Sequence, residues 1–142
     1  MKKYFVDTSF LVALVLTVDQ NYARAQKAWR SLDRSSSTLI TTSYVFDETA
    51  TYLNSRGQHA KAIEIGDKVL ISPTVDLVHV HEEMFFAGWE YFRKHSDKSY
   101  SLTDCISFLV MREKGADTAL TLIGISRRQG LILSLRITKS KT

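Results

Sequence analysis

Three carboxylates in this 142-residue chain stand where an ordinary surface acid would not. Asp7 interrupts an apolar run, in YFVDTSFLVALVL. Burying an ionised carboxylate costs several kcal/mol, roughly 2–7 for an uncompensated polar group alone. Asp7 therefore either caps the following element or stands at the mouth of a cleft and binds something positive. Glu48 lies in SYVFDETATYLN, whose apolar stripe is Val45, Phe46, Thr49, Tyr52 and Leu53. At ~100° per residue Glu48 falls on the edge of that stripe, between core and cleft, whereas Asp47 points away into solvent. Alone, Glu48 is explained as a snorkelling rim residue. Asp104, in YSLTDCISFLVMREKG, follows Ser101 by three residues, the spacing of a capping box. Its helix is apolar almost all round, so its N-terminus is expected near the sheet edge, where the helix dipole favours a negative group by roughly 0.3–1 kcal/mol. Capping leaves one carboxylate oxygen for other work.

Other reactive side chains are less productive. His79 and His81 alternate on one expected strand face, but no third and fourth zinc ligand stands at a usual spacing. His59 and His95 are expected at the surface. Cys105 is expected to be a small core residue rather than a nucleophile. A haloacid-dehalogenase phosphatase needs a second Asp two residues after the first, where this chain has Ser9. A response-regulator receiver needs a lysine after a late strand, and none follows Thr118–Leu122 directly.

The elements that must position these acids alternate. Strands are expected at Tyr4–Val6, Thr38–Thr41, Val75–Val80 and Thr118–Leu122. Helices are expected from Phe10 to Leu16, from Asp19 to Leu32, and from Ser43, as its cap, to Ser55. Three more run up to Leu70, over Glu82–Lys94 and over Ser101–Lys114, with Gly57, Pro73 and Gly115 as stops. Phe85, Phe86, Trp89 and Phe92 are expected as a buried stripe, in the core or on a dimer face. Such a chain folds as an α/β sandwich around a mostly parallel sheet. Ligands in these sheets sit at the strands' C-terminal ends, where Asp7 falls.

With 44% hydrophobic residues, one compact domain over residues 1–142 is expected. One cysteine allows no intrachain disulfide and fits a reducing compartment. No stretch reaches the ~18 apolar residues of a membrane span. A soluble, cytoplasmic domain without a membrane role is the expectation. Residues 1–123 hold 14 Lys and Arg against all 15 Asp and Glu, so the basic balance resides in the last 19 residues and not in a nucleic-acid-binding surface of the whole domain.

The stretches FVDTSFLVAL, VFDETATYL and SLTDCISFLVM, in this order, resemble the PIN domain, the metal-dependent ribonuclease fold of VapC-type toxins. The resemblance runs from Lys3 to about Thr121. It implies a three-layer α/β/α domain in which Asp7, Glu48 and Asp104 are the catalytic, metal-binding acids, with Thr8 and Ser9 as supporting hydroxyls. It further implies Mg²⁺ or Mn²⁺ as cofactor, since hard cations prefer oxygen ligands. The reaction implied is RNA phosphodiester hydrolysis without a covalent enzyme intermediate. The partners implied are RNA, a second copy in a homodimer, and a small antitoxin covering the acidic cleft.

Past Leu122 the resemblance ends. The family's pattern T-x-D-x-H-F-x-x-x-G-F would place an acid where this chain has Ile123. The alternative to a nuclease is therefore a catalytically impaired PIN fold that only binds a protein partner. The run LILSLRI has edge-strand character. Residues 122–142 are also compatible with a frame-shifted tail: with suitable synonymous codons, LIGISRRQGL reads D-R-H-F-A-A-A-G-F in the neighbouring frame.

Overall fold

The computed structural model describes residues 1–116 and 118–122. The expectations for Ile123, the edge strand at 131–137 and the altered frame of the tail lie outside the described residues. Four strands, β1 (Lys2–Val6), β2 (Ser37–Thr42), β3 (Val75–Val78) and β4 (Thr118–Leu120), pair in parallel in the order β3-β2-β1-β4. Phe5 stands opposite both Ile40 and Ala119, and Val6 opposite Leu120. β1 and β2 are interior strands covered on both faces. Phe5, Val6, Leu39, Ile40, Thr41 and Thr42 are accordingly all buried, with no inside–outside alternation.

Six helices fill the crossovers: α1 (Thr8–Val15) and α2 (Tyr22–Ser31), then α3 (Ser43–Ser55) and α4 (His59–Ile71), then α5 (Glu82–Lys94) and α6 (Leu102–Lys114). α1 packs on α2, α3 and α4, while α5 packs on α6. The connections from β1 to β2 to β3 advance in one direction, and that from β3 to β4 returns past β1. Right-handed crossovers then put α1–α4 on one face and α5–α6 on the other, giving three layers. Because the strand order reverses beside β1, the crevice between the ends of β1 and β4 is the switch point at which such sheets bind ligands. Gly115, at φ 78°, ends α6 in the left-handed conformation that favours glycine. No helix among the described residues is long and apolar enough to cross a membrane.

Local chemistry departs from the sequence-based expectations in four places. Thr42, not Ser43, caps α3, its hydroxyl accepting the Val45 N–H at 3.1 Å. Ser43 instead accepts the Val80 N–H at 2.9 Å. β3 stops at Val78, so His79 and His81 share no strand face; the His81 ring caps α5 by accepting the Met84 N–H. α2 begins three residues after Asp19, whose carboxylate turns the chain by accepting the Asn21 N–H at 2.7 Å. The α5 aromatics do not form a core stripe against the described residues: Phe86 is 55% and Trp89 43% exposed, which leaves the dimer-face alternative, and Met84 and Gly88 make the contact with α6 instead.

Gly88 sets how closely α5 approaches α6, the helix that carries Asp104. A Cβ at position 88 would collide with Ile106, which is fully buried. Helix propensity alone would reward Gly88→Ala by up to about 1 kcal/mol. Overpacking costs about 1–3 kcal/mol and outweighs it, because a buried branched side chain cannot swing away. Urea unfolding of Gly88→Ala is therefore expected to show a lower midpoint than the parent chain.

Candidate active site

Asp7 directly follows β1 and stands at the cap position of α1, yet its side chain makes no capping hydrogen bond. Its backbone is pinned on both sides: the N–H donates to the Leu120 carbonyl, and its own carbonyl accepts from Leu11, both at 3.2 Å. Asp7 is 8% exposed. A directed chain of hydrogen bonds reaches it from the end of β4. The Leu122 N–H donates to Ser9 Oγ at 2.8 Å, Ser9 lies 3.3 Å from Thr121 Oγ1, and Thr121 donates to Asp7 Oδ2 at 3.0 Å. Since the Thr121 proton points at Asp7, the Ser9 hydroxyl is the donor to Thr121.

Burial pushes the Asp7 carboxyl up from its ordinary 3.8 to about 6. Hydrogen bonds from the Thr8 backbone and the Thr121 hydroxyl pull the other way, and the negative charges of Asp104 and Glu48 add to the rise. No ion pair among the described residues reaches Asp7, Glu48 or Asp104.

Glu48 and Asp104 come to the same cleft, of about 450 Å³, from α3 and α6. Glu48 Oε1 accepts the Thr8 hydroxyl at 2.8 Å. Asp104 closes the capping box with Ser101: its N–H donates to Ser101 Oγ and its Oδ2 accepts the Ser101 N–H, each at 3.0 Å. Oδ1 takes no part in the box, and Asp104 lines the cleft. Asp47 lines a neighbouring depression and bonds only weakly to Thr51, at 3.4 Å. Cys105 is fully buried, and burial pushes its thiol above the ordinary value, which makes it inert.

Three residues in or beside the cleft are not expected there from the sequence. Asp19 and Tyr52 line the same wall, and Thr121 holds Asp7. Tyr52, expected within the apolar stripe, is 37% exposed, while Val45, Thr49 and Leu53 form the buried face. Its spacing of one turn from Glu48 was the available signal. For Thr121 the signal was weaker: a polar residue closing the strand next to β1.

The carboxylates and hydroxyls lining this cleft offer oxygen, the chemistry of a hard divalent cation. Among the described residues no three carboxylates converge tightly enough to cage an ion directly. Separate oxygen donors of this kind suit a hard cation that keeps several of its waters.

The PIN-domain family profile matches residues 4–122. The chain is 33% identical over 128 residues to the 23S rRNA-specific endonuclease VapC20 of Mycobacterium tuberculosis, in strains CDC 1551 / Oshkosh and H37Rv, covering 90% of this chain and 95% of the relative. The crystal structure of Mycobacterium tuberculosis VapC20, described as a sarcin-ricin loop cleaving toxin, superposes with a TM-score of 0.79 at 31% identity, covering 94% of this chain and 99% of that one. VapBC2 from Rickettsia felis, bound to a DNA fragment from its promoter, gives a TM-score of 0.62 over 93% and 97% of the two chains; at 16% identity it shows the fold alone.

The raised Asp7 pKa has a definite sign. The folded state holds the proton more tightly than the unfolded chain, so the stabilisation is complete below about pH 4 and is lost as pH rises through about 6. Two pKa units correspond to at most about 3 kcal/mol. In EDTA, the stability difference between Asp7→Asn and the parent chain should shift in favour of the variant from pH 4 to pH 7. Thermal unfolding across that range checks it; a constant difference would contradict the burial of a charge.

Proposed function

We propose that this chain, which belongs to the PIN-domain family in its VapC-type branch, is a divalent-metal-dependent endoribonuclease and the toxin of a toxin–antitoxin pair. The observation that carries the proposal is the gathering of Asp7, Glu48 and Asp104 in one cleft at the switch point of the sheet, without a cationic side chain among the described residues. Asp7, Glu48 and Asp104 would together hold Mg²⁺ or Mn²⁺, in part through waters that the ion retains. When bound, it supplies charge compensation for the acids, a more acidic water and stabilisation of the phosphate's developing charge.

The chain's own groups do the rest. Thr8 fixes one Glu48 oxygen and aims the carboxylate into the cleft. The capping box uses one Asp104 oxygen and leaves the other without a capping bond. Ser9 and Thr121 keep the Asp7 carboxylate oriented and, by donating to it, favour its ionised form. The naming of the 33%-identical relative as an endonuclease favours catalysis over the binding-only alternative. It also makes the sarcin–ricin loop of 23S rRNA the first substrate to test, in the cytoplasm where that RNA resides.

Two surfaces support the expected protein partners. The open acidic cleft around Asp7, Glu48 and Asp104 is the surface that a segment of the antitoxin would cover. The exposed aromatic face of α5 suits a second copy of the chain, in keeping with a homodimer. We also propose that residues 1–142 form a single domain and that 122–142 have a frame-shifted origin, the latter tested by the gene's nucleotide sequence.

Incubation with a sarcin–ricin-loop hairpin RNA and Mg²⁺ or Mn²⁺ should give discrete cleavage products on a denaturing gel, and EDTA should abolish them. Glu48→Gln should lose at least the about 10–100-fold that removal of a ligand-supporting residue costs. Asp47→Asn should stay within about twofold, as a surface change. Robust cleavage in EDTA would rule out the mechanism. Metal binding without cleavage of any RNA would favour the binding-only alternative.

A further inference from the structure

Tyr44, Glu48, Tyr52 and Arg56 recur every four residues along α3 and its C-terminal cap, and so form one stripe leading away from the acids. Successive members lie about one turn, ~5.4 Å, apart. Tyr52 belongs both to the wall of the acidic cleft and, with Tyr44, to a depression continuing past Glu48. The Arg56 guanidinium stacks over the Tyr52 ring, its carbon 4.9 Å from the ring centroid. No carboxylate among the described residues pairs with Arg56. An exposed ring beside a basic side chain, adjoining a phosphate-cleaving site, has the make-up of a single-strand nucleotide platform.

Resting on the ribonuclease reading, we infer that Tyr52 and Arg56 form a substrate subsite: the Tyr52 ring stacks a base of the nucleotide flanking the scissile phosphate, and Arg56 pairs with the next backbone phosphate. Charge complementarity commits the surface to RNA rather than to protein. The cleft itself is acidic and repels the backbone, so a strand laid across it needs a cationic hold just outside, and Arg56 stands two turns beyond Glu48. A guanidinium matches phosphate geometry with paired donors, and its stacking on Tyr52 keeps it extended toward the strand. Stacking tolerates any base, so this subsite supplies affinity and register rather than sequence choice.

The experiment measures binding of a fluorescein-labelled single-stranded RNA of mixed sequence by anisotropy in EDTA, and cleavage kinetics in Mg²⁺ on the same RNA. Tyr52→Ala should weaken binding at least about fivefold, the lower end for loss of one base–aromatic stack. Tyr52→Phe should bind within twofold of the parent, and Tyr52→Trp should bind and show added tryptophan quenching by the RNA. Arg56→Gln should reduce the slope of log affinity against log salt by about 0.7, one phosphate contact on a single strand. In cleavage, Tyr52→Ala should act mainly through KM. All four side-chain changes are at exposed positions, and equal thermal midpoints exclude misfolding as the cause. Parent-like RNA binding by Tyr52→Ala, or an unchanged salt slope for Arg56→Gln, would overturn the subsite while leaving the nuclease intact. A parent chain that neither binds nor cleaves RNA would overturn both.

Discussion

A carboxylate buried at the end of the first strand, beside two others and with no cationic side chain among the described residues against it, is the constraint on which the rest of this structure depends. Burial is the largest force on Asp7, and the neighbouring charges of Asp104 and Glu48 add to it. The hydrogen bonds from Thr8 and Thr121 oppose both and do not cancel them, since the group still settles near pH 6. At neutral pH Asp7 is therefore mostly ionised but poised. A cation that favours the ionised form would bind with release of protons, and its affinity would fall as pH drops below about 6.

The architecture can be understood as the means of holding that arrangement. The reversal of strand order beside β1 opens a crevice into which β1 and β4 end, and the Leu122–Ser9–Thr121–Asp7 chain of hydrogen bonds closes its floor. α3 and α6 lie in different layers and bring one acid each. α5 packs on α6 at close range through Gly88, and Asp104 gives one oxygen to capping while lining the cleft. Unlike a zinc cage, the result is a set of separate oxygen donors, which suits an ion that keeps its waters.

Local patterns made much of this legible in the sequence. The S-x-x-D box and the placing of Asp7 at a strand end depend on neighbours a few residues away, and the 3.6-residue period alone separates Glu48 from Asp47. Alternating strands and helices were enough for a parallel three-layer sandwich. Thr121 was not visible, because its partner Asp7 lies 114 residues away in the chain and only the pairing of β1 with β4 brings them together. For the α5 aromatics the choice between core and dimer face stayed open for a related reason: periodicity shows that a face is apolar, not what covers it. The expectation for Tyr52 failed, its ring lying at the border of the stripe and facing the cleft wall. Capping by Thr42 rather than Ser43 reflects two hydroxyls one residue apart, a choice that the position of Val80 decides.

The central claim is that Asp7 is tolerated because a divalent cation compensates it. Titration of Mn²⁺ into the protein, followed by the loss of the free-ion electron paramagnetic resonance signal, tests it without reference to any RNA. The account predicts saturable Mn²⁺ binding by the parent chain and affinity at least about 10–100-fold weaker in Asp7→Asn. Equal Mn²⁺ binding by the two proteins would contradict it.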